Sequence, residues 1–82
     1  MENLLMEYKN STGCTYRNIA NKVEVILKKN GETVKVYGTT IEDYAKGKSM
    51  PQNDVRADAV AELLGVTTKE LLENFSACKK AG

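Results

Sequence analysis

Apolar residues recur at helical spacing in this chain only in short bursts, and each of the first four is closed by a glycine or by a glycine within a cluster of turn formers. The closing points are Asn10-Ser11-Thr12-Gly13, Asn30-Gly31, Gly47 and Gly65. Helices this short are marginal alone, so they must bury their apolar faces against one another in a bundle. With 82 residues there is room for one small core and no second domain.

The bursts can be read in order. Leu4, Leu5 and Tyr8 form one face of a first helix over residues 3–9. Thr15 is placed to cap a second helix, in which Ile19, Ala20, Val23, Ile26 and Leu27 share a face and Glu24 precedes Lys28 by one turn. Asn30-Gly31 would end it. A β-hairpin about Asn30-Gly31 competes for the same residues, setting Leu27 opposite Val34 and Val25 opposite Val36, and Val34–Tyr37 would be extended with either helix or hairpin. Ile26 breaks the alternation such a hairpin needs, and the helical period is unbroken.

Ile41, Tyr44 and Ala45 mark a third helix, which Thr39 or Thr40 could cap, with Pro51 beyond its Gly47 stop. A fourth starts at Asn53 or Asp54 and turns Ala57, Val60, Ala61 and Leu64 inward. Thr67 and Glu70 have the spacing of a capping box for a fifth, whose buried face is Leu71, Leu72 and Phe75. Residues 76–82 read as a flexible tail.

Twelve basic residues against eleven acidic ones leave a formal charge of +1, so the chain as a whole has no strong electrostatic footprint for nucleic acid. The positive excess lies in the middle, at Arg17, Lys22, Lys28, Lys29, Lys35, Lys46 and Lys48. A solvated lysine-rich surface is the simpler reading of that excess. There is no histidine, and Cys14 and Cys78 lie far apart, so neither a zinc site nor a Cys/His nucleophile can be assembled. Free thiols in a reducing cytoplasm are expected, with no cofactor, no membrane span, no small-molecule substrate and no enzymatic activity.

Three stretches carry a resemblance. "TYRNIA" followed downstream by "IEDYAKGKSMP" and "VAELLGVTTKELL" resembles the helix-turn-helix domain of the Cro and lambda-type repressors, the Xre family. The likeness spans roughly residues 3–75. It implies an all-α, five-helix repressor-like bundle over residues 1–75 whose third helix enters the major groove of double-stranded DNA while the start of the second sits over a phosphate. Carried across, the contacting residues would be Tyr16 and Arg17 at the start of the second helix, Tyr37, Gly38, Thr39, Thr40 and Asp43 on the third, and Lys46 and Lys48 after it. Homodimerisation on a palindromic site, and a role as a transcriptional repressor of phage or mobile-element type, follow from the same likeness.

The chain departs from the family in the turn. Between Ala20 and Ile41 it is about eleven residues longer than the helix-turn-helix pattern. That insertion either forms an arm whose Lys28, Lys29 and Lys35 follow the phosphates, or obstructs the groove surface. The reading turn also lacks Arg, Asn and Gln, the common bidentate readers of bases. A protein-binding module that keeps the fold without binding DNA, with a protein partner as its target, is the alternative expectation.

Overall fold

The computed structural model describes residues 2–51 and 54–81, the side chains of 79–81 excepted. Five helices make up the regular structure: α1 Leu4–Thr12, α2 Tyr16–Lys29, α3 Gly38–Ala45, α4 Val55–Leu64 and α5 Thr68–Ala81. Among the described residues there is no strand, and no helix is long and apolar enough to cross a membrane.

Local chemistry explains most of the boundaries. The Asn3 side chain accepts from the Met6 amide at 2.9 Å to start α1, and the Thr15 hydroxyl accepts from Asn18 at 3.1 Å to start α2. Asp54 caps α4 through the Arg56 amide, 2.9 Å away. Asn53, the other candidate for that cap, lies outside the described residues. The Thr67/Glu70 box is present in both directions: the Glu70 amide donates to the Thr67 hydroxyl at 3.1 Å, and the Thr67 amide to the Glu70 carboxylate at 3.4 Å.

Residues 23–29 are helical, so the hairpin is not formed. The physical reason lies at the helix end. Gly31, with φ of 84°, takes the left-handed conformation and donates to Lys28 O at 3.0 Å, while Glu32 N donates to Leu27 O at 2.8 Å. That pair of bonds satisfies the last carbonyls of α2 and redirects the chain.

Two further boundaries differ from the sequence reading. α1 continues through Thr12, with the Ser11 and Thr12 hydroxyls donating back to Tyr8 O, and stops only at Gly13. α5 continues to Ala81, so the backbone of 76–81 is helical where a tail was expected. Cys14 and Cys78 are free thiols.

α2 is the hub, packed against α3 on one side and α4 on another; α4 carries α5, and α1 lies across α3, α4 and α5. The largest fully buried side chains are Leu5, Ile19, Val23, Leu27, Ile41, Val60 and Leu71, so α1 through α5 all contribute to one core. Each such side chain contributes about 1.5–3 kcal/mol relative to exposure. α1 is also tied by polar contacts: the Asn3 amide group donates to Tyr44 O at 2.8 Å, and the Leu4 amide donates to the Asn74 side chain of α5 at 2.9 Å.

Candidate nucleic-acid interface

The insertion is spent on two things. α2 runs to Lys29, and residues 30–37 then return along its flank. Their far end is held by a bond back to α2: the Val36 amide donates to a Glu24 carboxylate oxygen at 2.7 Å, partly buried. Glu24 therefore does not make the helical pair with Lys28 expected from spacing; its carboxylate is engaged by the returning backbone, a charge-assisted bond.

The return delivers the start of α3 to the start of α2. Gly38 lies so close to α2 that a Cβ placed on it would be 3.3 Å from the Arg17 Cα and 3.4 Å from the Arg17 nitrogen. The N-termini of α2 and α3 thus converge at one edge despite the long connection, each carrying the partial positive charge of its unpaired amides.

Around that edge, Arg17, Thr39 and Lys35 are exposed, and Tyr37 is 59% exposed. They line one shallow groove with Asn21 and Glu24 of α2. Asn21 and Glu24 were missed in the sequence, although Arg17, Asn21, Glu24 and Lys28 recur at the period of a single helical face. Asn21 supplies beside Thr39 an amide of the kind that the third helix lacks.

The other expected contacts divide. Thr40 turns inward, lining a cavity with Ile41, Tyr44 and Arg56. Neither Thr39 nor Thr40 caps α3; the cap position is Tyr37, without a side-chain cap bond. Tyr16 is half-buried against α1, its hydroxyl 3.9 Å from Met6 Sδ and the Lys9 ammonium 4.8 Å from its ring centre. Lys28 and Lys35 border one depression with Thr33 and Val34. Lys29 is separated from them, pairing with Glu62 of α4 at 3.0 Å.

The outward face of α3 is Thr39, Glu42, Asp43 and Lys46, of which Thr39 and Lys46 are exposed and the two acids half-buried. Lys46 is engaged by Glu42, Nζ to Oε2 at 2.6 Å. Lys48 is exposed beyond Gly47.

The Lys46 hydrogen bond, and then its charge, hold the Glu42 carboxyl below the ordinary glutamate range. A carboxyl depressed in the folded state contributes stability above its unfolded pKa and loses it as pH falls through the folded value. Lys46→Ala is therefore expected to raise the Glu42 midpoint in a carboxyl-carbon NMR titration. The stability difference between wild type and variant should vanish at acidic pH; an unmoved midpoint would mean that the pair is not formed in solution.

No protein-family model matches the chain, and neither a curated protein nor a solved structure matches it.

Proposed function

We propose that this chain is a sequence-specific double-stranded DNA-binding regulator that lays the converging starts of α2 and α3 on the duplex. The observation that carries this reading is the close approach of Gly38 to Arg17, which brings two helix N-termini and an exposed arginine to one edge. Such an edge suits phosphate contact at α2 and entry of α3 into the major groove. Arg17 and Lys28 of α2, with Lys35 of the return segment, would contact phosphates, while Thr39 and Asn21 would face bases. Action in the cytoplasm as a homodimeric repressor of phage or mobile-element type is the fuller form of the proposal, and it rests on the resemblance to the Xre family.

The test is retention of duplexes from a random-sequence pool at low and moderate salt, followed by sequencing. Enrichment of a short inverted repeat, with affinity falling as salt rises, is expected. Lys28→Gln and Lys35→Gln should each weaken binding to all sequences and reduce the slope of log affinity against log salt by about one. Lys29→Gln, whose lysine is turned to Glu62, should change it little, and Thr39→Ala should alter the preferred sequence. Absence of retention at low salt would overturn the reading.

A second reading has its own observation. Glu42 and Asp43 stand on the outward face of α3, and Glu42 already occupies Lys46. Phosphates repel such a face, whereas a basic protein surface complements it. A protein-binding module would show no salt-sensitive DNA affinity and would lose its partner on Glu42→Lys or Asp43→Lys.

A further inference from the structure

Beneath the start of α3 lies a cavity of about 310 Å³, bounded by the return segment, α2, α3 and α4. That is at the small end of ligand-binding cavities, which run from about 300 to 1,000 Å³. Its walls sort by chemistry. Val23, Val36, Ile41 and Val60, all core residues, form an apolar surface. Lys35 from the return segment and Arg56 from α4 supply two cations, and Thr40 and Tyr44 add hydroxyl-bearing side chains.

Neither cation is firmly committed. Among the described residues Lys35 has no carboxylate within ion-pair distance. Arg56 reaches only Asp54 among the described residues, at 3.9 Å, with both side chains substantially exposed; the other Asp54 oxygen caps α4. Burial pushes the Tyr44 phenol up, with the Arg56 guanidinium acting the other way, so the phenol remains a neutral hydroxyl at physiological pH. A site with an apolar wall, two cations and neutral hydroxyls is complementary to one kind of molecule: an anionic head that can take a guanidinium fork, on a compact apolar body.

We propose that this cavity binds a small carboxylic acid with an aromatic or branched apolar body, its carboxylate between Lys35 and Arg56. The ligand would touch the return segment, α3 and α4 together, bracing the start of α3 against the core. An effector acting on the proposed DNA-binding edge would have such a place, but the binding claim stands without that edge.

The probes are benzoate, its neutral isostere benzamide and the cation benzylamine, added to the full chain at millimolar concentration and followed by amide NMR shifts. No DNA is present, so the result is independent of the DNA-binding reading. Benzoate is expected to shift amides within 35–37, 40–44 and 56–60, and to bind about tenfold or more tightly than benzamide, as a charge-assisted bond implies. Arg56→Gln should cost a similar factor, and the exposed Lys35→Gln provides the same test where Arg56 is also needed for folding. Shifts elsewhere, equal binding of benzamide, affinity unchanged in both variants, or no shift at all would each overturn the proposal.

Discussion

Asn3→Ala is expected to destabilise the protein by about 1.5–3 kcal/mol, a drop in Tm on the order of 10–20 °C for a domain this small. Asn3 is the one buried polar residue among those described, 3% exposed, and its side chain does two jobs. Its oxygen caps α1 through the Met6 amide, and its nitrogen donates to Tyr44 O at the end of α3. Loss of the cap costs about 1 kcal/mol. Loss of the second bond costs about as much again, held to the lower end because Tyr44 O also accepts from Gly47 N at 3.2 Å.

Asn3→Asp separates the two terms. A carboxylate restores the cap but sets a buried, protonless oxygen against the Tyr44 carbonyl, so it should recover at most the capping share. Chemical denaturation with an unchanged m-value checks both variants. Equal stability of Asp and Asn at this position would show that the bond from α1 to α3 contributes nothing.

Gly38→Val is expected to cost about 1–3 kcal/mol, the range for forcing extra carbon into a tight contact. The obstruction is the Arg17 backbone, which belongs to α2 and cannot swing aside as a side-chain tip would. Gly38→Ala is a different case. A single Cβ sits at 3.3 Å from the Arg17 Cα, and the lower entropy cost of alanine, about 0.8–1 kcal/mol in a helix interior and less at this first position of α3, works against the crowding. Alanine should therefore be near neutral and valine clearly destabilising. If valine leaves stability and the amide shifts of α2 unchanged, the two helix starts do not touch in solution.

The comparison between sequence and structure divides along the range of the interactions involved. Thr15, the Thr67/Glu70 box and the Asn30-Gly31 stop are local devices, whose partners lie within a few residues, and they were legible. So were the buried positions Ile41 and Tyr44, because helical period fixes which side of α3 they occupy.

The misread positions are those whose partners come from elsewhere. Spacing offered Glu24 to Lys28, but the carboxylate is engaged by Val36 N, twelve residues on. Lys29 belonged by sequence to a basic arm, but a carboxylate of α4 draws it to the opposite side. Thr40 is one residue from Thr39 and about 100° around the helix from it, which is enough to turn it from the surface to the cavity. In the candidate interface the charge excess was visible in the chain; which of its members share an edge was a tertiary matter.

The bond between Glu24 and Val36 also bears on how such a chain tolerates changes in length. It joins the two ends of an excursion comprising the last turn of α2 and the return segment, and the buried Leu27 anchors that excursion to the core. The packing of α3 depends on where the excursion closes, not on how far its tip extends. Closure entropy grows only logarithmically, about 0.6 kcal/mol for each doubling of a loop. Residues added within 32–35, past the bonded stop of α2, would thus cost the fold little while extending the tip, so the span of surface covered by this protein can change by insertion and deletion, without altering a residue that holds α2 and α3 together.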